Sequence, residues 1–142
     1  MDEHYFSADP GVAFRRTPVE ARVWGQDLKL TSGSGVFAQG RLDIGTAVLF
    51  RETEPPDAGT FLDLGCGYGV IGLALAVAVP GARVWAVDVN ERAVLLANEN
   101  AAALGVQVVT SAGNSGDSYY VSGSPGSAVR AIATASSRRA SG

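Results

Sequence analysis

Seven residues, DLGCGYG from Asp63 to Gly69, leave the chain few folds to choose from, because of what stands on either side of them. Before them Thr60 to Leu64 is short and apolar, as a buried strand is. After them Val70 to Val79 is apolar all round, the pattern of a helix packed against a sheet. A strand that bends at once into a helix needs a backbone free of side chains at the bend, and Gly65, Gly67 and Gly69 supply it. The chain then returns. Arg83 to Val87 reads as a second buried strand, and Asn90 as the N-cap of a second helix with the stripe Val94, Ala97, Ala101 and Leu104. Gly105 suits the left-handed end of that helix, and Val106 to Val109 begins a third strand. The β-α-β-α-β order predicts an α/β fold with a parallel, doubly wound sheet and right-handed crossovers, of which these are the first three strands.

The flanking regions differ in composition. Residues 1–52 form an N-terminal segment in which ARVWGQDLKL reads as two short strands around Gly25, Gln26 and Asp27, a β-hairpin. The following SGSGVFAQGRLDIGTAVLF has four glycines and an apolar end, as expected of a loop that passes close to something before entering a helix. Residues 53–110 carry the alternating half-domain. Residues 111–142 are dominated by Ser, Gly and Ala, and disorder or loose coil is expected there.

Composition narrows the function classes. With 142 residues, 46% hydrophobic and 18% charged, the chain suits one domain with a short appendage. A net charge of −3 excludes a strongly basic, sequence-indifferent nucleic-acid coat. The start, MDEHYF, lacks the positive charge and apolar core of a secretory leader. The longest apolar run, Val70 to Val79, falls short of the roughly 20 residues that span a bilayer. A single cysteine, Cys66, cannot form an internal disulfide and fits a reducing compartment, so a cytoplasmic monomer is the expectation.

Chemistry is concentrated at two strand ends, where parallel sheets bind ligands. Asp63 and the glycines close the first strand, and Asp88 followed by Val89 closes the second. A carboxylate at Asp88 is placed to accept hydrogen bonds from both hydroxyls of a ribose, which points to an adenosine-type ligand. A nicotinamide dinucleotide is the rival, but its fingerprint wants a glycine three positions after Gly67, and Val70 stands there. Asp63 would repel a pyrophosphate and favour a ligand bearing an ammonium group.

Several blocks together then resemble one family. HYFS at His4 to Ser7, SGSGVF ending at Phe37, RLDIGT at Arg41 to Thr46, DLGCGYGVIGLALA from Asp63, and VDVNERAVLLANENAAALGV after it are similar to the small-methyltransferase-domain proteins. These are class I S-adenosylmethionine-dependent methyltransferases with a Rossmann-like sheet, and they include enzymes that methylate guanine in small-subunit rRNA. The resemblance implies S-adenosylmethionine as cofactor, with Asp63, Gly65, Cys66, Gly67 and Gly69 around its methionine part and Asp88 and Val89 at its nucleoside. It implies rRNA or the small ribosomal subunit as partner. Phe37, Asp43 and Thr46 fall in a block that packs over the cofactor in the family. No metal ligand and no catalytic side chain is expected.

The resemblance stops near Val109 to Ala112. Where the family carries Ser-Asp, Ser111 is followed by Ala112, and the family's Asn-Pro-Pro, which holds the amine to be methylated, is absent. The only paired prolines, Pro55 and Pro56, precede the glycine run. A truncation or reading-frame change near residue 110 is the expected origin, and a chain of weak activity, or a remnant that at best binds the cofactor, the expected outcome. His4 is read as solvated, Tyr119 and Tyr120 as part of a low-complexity tail, Arg138 and Arg139 as too few charges to mark a phosphate site, and the Cys66 thiol as a small side chain without a partner base.

Overall fold

The computed structural model describes residues 13–36, 42–110 and 131–136. Two strands, β1 (Arg16–Val23) and β2 (Gln26–Gly33), pair antiparallel with Val23 opposite Gln26. Their connection is therefore the two residues Trp24 and Gly25, at φ 44° and 79°, the positive pair that a type I′ turn requires. The turn sits one to two residues before the Gly25, Gln26 and Asp27 expected from the sequence. Trp24 pays a steric cost for this conformation, and tertiary contacts offset it. Its ring meets Phe50 edge to face at 5.0 Å, and its indole N–H donates to Thr53 Oγ1 at 3.2 Å. Both partners belong to helix α1 (Ile44–Glu52) and its C-terminal cap, so the turn fixes where α1 lies.

The expected alternation follows. Strand β3 (Thr60–Leu64) leads through the glycine loop into α2 (Val70–Ala78), then β4 (Arg83–Asp88), α3 (Glu91–Ala103) and β5 (Gln107–Thr110). Asn90 caps α3 as its residue type predicts, its side-chain oxygen accepting from the Arg92 and Ala93 amides. The buried stripe of α3 is Ala93, Leu96, Ala97, Asn100 and Ala101. It is rotated from the expected one, leaving Val94 and Leu104 half-buried, because α3 is sandwiched: the hairpin lies on one side of it and the sheet on the other.

The main sheet is parallel throughout, in the order β3-β4-β6-β5. Strand β6 (Ala131–Ser136) corrects the reading of residues 111–142 as loose coil, at least for these six positions. It lies between β4 and β5, Ala131 facing both Arg83 and Gln107. Composition hid it because a central parallel strand is held by backbone groups that every non-proline residue owns. Phe61 and Asp63 face α2, with Val84 and Ala86 beside them on β4. The opposite face of β3 presents Leu62 and Leu64, 64% and 76% exposed. Right-handed crossovers running in one direction put α2 and α3 on the same face, which is half of a doubly wound design. Among the described residues no helix is long and apolar enough to cross a membrane.

The hydrophobic core fills the space between hairpin, helices and sheet, with Val19, Ala21, Val23, Leu28 and Leu30 meeting Leu73, Ala74, Leu96 and Ala97. Replacing Trp24 tests how the turn is held. Trp24→Asn gives the turn its preferred Asn-Gly pair but removes the Phe50 and Thr53 contacts, and we expect a net loss of about 1–2 kcal/mol in urea unfolding. A gain in stability would show that local turn preference outweighs the packing.

Candidate functional site

The glycine loop is shaped by hydrogen bonds from several directions. The Gly65 and Cys66 amides both donate to the Val87 carbonyl, at 2.7 and 3.0 Å, and the Gly69 amide closes the loop onto the Cys66 carbonyl at 3.0 Å. Asp88 completes it. Its Oδ2 accepts from the Gly67 amide at 2.9 Å and its Oδ1 from the Asn90 amide at 2.8 Å. One carboxylate at the end of β4 thus ties the loop after β3 to the start of α3. Each oxygen keeps a further lone pair for a ligand hydroxyl.

Asp63 has a different task. Helix α2 begins at Gly69, which has no side chain with which to cap it. The Asp63 Oδ2 reaches past the loop and accepts from the Gly72 amide at 3.0 Å, supplying the missing cap from the end of β3. Burial holds the Asp63 carboxyl above its usual range, opposed by the Gly72 hydrogen bond and reinforced by the charge of Asp88. Its Oδ1 has no hydrogen-bond partner among the described residues.

These groups line a cavity of about 590 Å³ together with residues from three other parts of the chain. Asp63, Gly65, Cys66, Gly67, Asp88 and Val89, all singled out in the sequence, are in its wall. Asp43 and Thr46 are there too, with Asp43 capping α1 by accepting from the Thr46 amide at 3.2 Å. Phe37 lies outside the described residues, as do His4, Tyr119, Tyr120, Arg138 and Arg139. Among the lining residues that the sequence reading passed over are Val36, Tyr68 and Asn90. Asn90 was visible as a cap but not as wall, because only the fold brings its neighbours to the loop.

Gly69 is the candidate that does not line the cavity, and its conformation has another cause. At φ 97°, a Cβ there would stand 3.1 Å from Leu73 Cδ1 and 3.2 Å from Ala97 Cβ. Close approach of α2 to α3 is what demands this glycine. At Gly67, by contrast, φ is 57° and nothing lies within 4 Å of an added Cβ.

The electrostatics of the wall are one-sided. Asp43, Asp63 and Asp88 all line the cavity, and no Lys, Arg or His among the described residues does. Their charges are felt nearby. The buried Cys66 thiol is pushed up, by burial first and then by Asp63 and Asp88, which leaves it no nucleophile near neutral pH. Tyr68 is pushed up to about 12, by burial and then by Asp43. Such a wall suits a cation. A pyrophosphate would meet carboxylates, and the helix N-terminus that could receive it is already capped by Asp63. Among the described residues no cluster of metal-ligating side chains occurs.

Comparison with known proteins gives the family context. The family model described as "Methyltransferase small domain" matches residues 27–120. The uncharacterized Bacillus subtilis protein YbxB is 43% identical over 107 residues, which are 75% of this chain and 53% of that protein. Ribosomal RNA small subunit methyltransferase C of Pseudomonas putida is 41% identical over 80 residues, 56% of this chain and 24% of the enzyme. Among solved structures, the T. thermophilus 16S rRNA methyltransferase RsmC, determined in complex with AdoMet and guanosine, superposes with a TM-score of 0.57 at 27% identity. That match covers 70% of this chain and 28% of the other. The chain therefore spans about half of the Bacillus relative and about a quarter of the rRNA enzymes.

The two glycines separate packing from ligand space. Gly69→Ala must displace Leu73 or Ala97 and adopt a left-handed backbone, an expected loss of about 2–5 kcal/mol in denaturant unfolding. Gly67→Ala meets only the backbone term, roughly 1–2 kcal/mol. Equal losses would contradict the assignment of Gly69 to helix packing.

Proposed function

Because the chain belongs to the methyltransferase small domain family, we propose that its cavity binds S-adenosylmethionine and that it descends from enzymes methylating the exocyclic amine of a guanine in small-subunit rRNA. The observation that carries the reading is the placing of Asp63 and Asp88 on either side of the glycine loop, one bonded to the Gly72 amide and the other to the Gly67 amide, in a cavity lined by carboxylates and, among the described residues, by no Lys, Arg or His. The ligand has chemistry to match. Its ammonium and sulfonium are cations that Asp43 and Asp63 attract, and its ribose hydroxyls can donate to the lone pairs left on Asp88. Gly65, Cys66 and Gly67 let it approach the backbone closely, with Val89 beside the nucleoside. The bound cofactor supplies a methyl group already activated on sulfur.

Since the leaving group is activated, transfer depends on holding the acceptor in line, a contribution of about 7–11 kcal/mol when orientation is complete. Neither the described residues nor the rest of the sequence contains the family's Asn-Pro-Pro acceptor motif. The chain by itself is accordingly a cofactor-binding unit with negligible turnover. The rRNA partner is supported by the names of the relatives, and the cofactor also by AdoMet in the T. thermophilus structure.

Calorimetric titration tests the cofactor, and methyl incorporation into small ribosomal subunits tests the turnover. We expect S-adenosylhomocysteine and S-adenosylmethionine to bind and NADH not to, with incorporation at background. Preference for NADH would overturn the cofactor, and incorporation the inactivity. Asp63→Asn sharpens the test. The amide keeps the cap on Gly72 and removes a charge that burial disfavours, so thermal stability should hold or rise while S-adenosylmethionine binds at least tenfold more weakly, about 1.4 kcal/mol.

Acidity gives an independent check. With its folded-state pKa raised, Asp63 holds its proton in the native state where the unfolded chain has lost it, so the unliganded protein loses stability as pH rises through that window. A cation binds the ionised form. Affinity for S-adenosylmethionine should therefore strengthen as pH rises from the ordinary carboxylate range through the raised Asp63 value, and this dependence should vanish in Asp63→Asn. An affinity flat with pH in the parent chain would remove Asp63 from the cation site.

A further inference from the structure

Asn100 is a polar residue on the buried stripe of α3, 2% exposed and surrounded by small apolar positions. Its carboxamide is fully engaged. Oδ1 accepts from the Thr31 amide at 2.7 Å, and Nδ2 donates to the Thr31 carbonyl at 2.9 Å and to the Tyr68 carbonyl at 2.8 Å. The first two bonds imitate a sheet. Thr31 is opposite Pro18 in the hairpin, and the groups it bonds to Asn100 are those it turns away from β1. The side chain stands where the peptide of a further strand would be. The third bond reaches the glycine loop, whose next residue, Gly69, begins α2.

We propose that Asn100 is a positioning residue for the cavity, clipping the open edge of β2 to the Tyr68 carbonyl so that the hairpin and the glycine loop are set as one unit. The inference rests on reading the cavity as the S-adenosylmethionine site. Asn100 does not line that cavity, and it acts through the loop. A second tie runs in parallel at the other end of the same helix. Asn90, 1% exposed, donates from Nδ2 to the Gly35 carbonyl at 2.7 Å, and its backbone amide is one of the two held by Asp88. Gly35 precedes Val36, which is in the wall. The hairpin thereby becomes part of the pocket's frame, with Thr31 of its far strand held at Asn100 and Gly35 of the loop that follows held at Asn90.

Only a carboxamide of this length offers one acceptor and two donors in one plane. Asn100→Asp keeps the shape and turns an acceptor oxygen toward two carbonyls, while Asn100→Ala leaves Thr31 and Tyr68 with unpaired buried groups. Both variants should be measured well below their own unfolding temperatures beside Val106→Ala, a core truncation outside the cavity that lowers stability by a different route. Expected is at least a tenfold weakening of S-adenosylhomocysteine binding in both Asn100 variants and less than twofold in Val106→Ala. A purely structural role predicts that all three folded proteins bind alike, and that result overturns the proposal.

Amide hydrogen exchange supplies the second readout. Without ligand, Gly67 and Gly69 should exchange at least tenfold faster in the Asn100 variants than in the parent, measured relative to the β3–β4 ladder. Unchanged rates overturn the proposal even if the parent binds no S-adenosylhomocysteine, a failure that would instead count against the cofactor reading. Should the Asn100 variants not fold, the parent protein decides. Ligand must then slow exchange of the Thr31 amide more than that of Leu28, near the hairpin turn, and equal slowing overturns the proposal.

Discussion

A carboxylate at the end of β4 joins three segments that sequence keeps apart. Asp88 holds the Gly67 amide with one oxygen and the Asn90 amide with the other. Through Gly67 it fixes the bend after β3, and through Asn90 it fixes the first turn of α3 and the loop that ends the hairpin. Buried backbone donors need acceptors, and leaving one unpaired costs on the order of 1–3 kcal/mol. The local geometry of the cavity follows from meeting that requirement with a charged group. Each oxygen keeps a further lone pair, so on the proposed reading structure and binding draw on one side chain.

Asp63 shows the converse arrangement. Its charge is disfavoured by burial and by Asp88, yet it is retained because Gly69 cannot cap α2 for itself. Glycine is required at that position by the 3.2 Å approach to Ala97 Cβ. Close packing of two helices thus removes a cap, the missing cap calls for a carboxylate, and the carboxylate makes the cavity acidic. A cation relieves the resulting strain in charge, which is why a sulfonium-bearing nucleoside suits the site better than a dinucleotide. Burial and the charges of Asp63 and Asp88 push the Cys66 thiol up in the same way, so it stays protonated.

Much of this was legible in the sequence, and what was not has identifiable causes. The strand, glycine bend and helix from Thr60 to Ala78 were readable because periodicity and glycine spacing act locally. So was the cap at Asn90. The turn at Trp24 was misplaced by its residue type: a bulky side chain in the left-handed region is stable only through Phe50 and Thr53, which lie far along the chain. Strand β6 was missed because its neighbours, not its side chains, make it a strand. Asn100 gave a weak signal, an amide on an otherwise small apolar stripe, but its partners Thr31 and Tyr68 are 69 and 32 residues away. The acidic wall could be guessed in part from Asp63 and Asp88, whereas Asp43 was indicated only by the family resemblance, because its place depends on how α1 is carried by the hairpin.

On the proposed reading, binding the cofactor and aligning an acceptor are separate tasks. The cavity is walled by the loop after the hairpin, the start of α1, the end of β3, the glycine loop, the start of α2, the end of β4 and the start of α3. On the face of β3 away from α2, Leu62 and Leu64 are exposed, and β3 has no partner on its outer edge among the described residues. Exposed apolar edges favour association and lower stability. The relatives that carry out rRNA methylation are about four times longer than the stretch they share with this chain. On the proposed reading, cofactor recognition draws on groups at the carboxyl ends of β3 and β4, where Asp63 and Asp88 stand. Acceptor alignment has to come from groups on the far side of the transferred methyl.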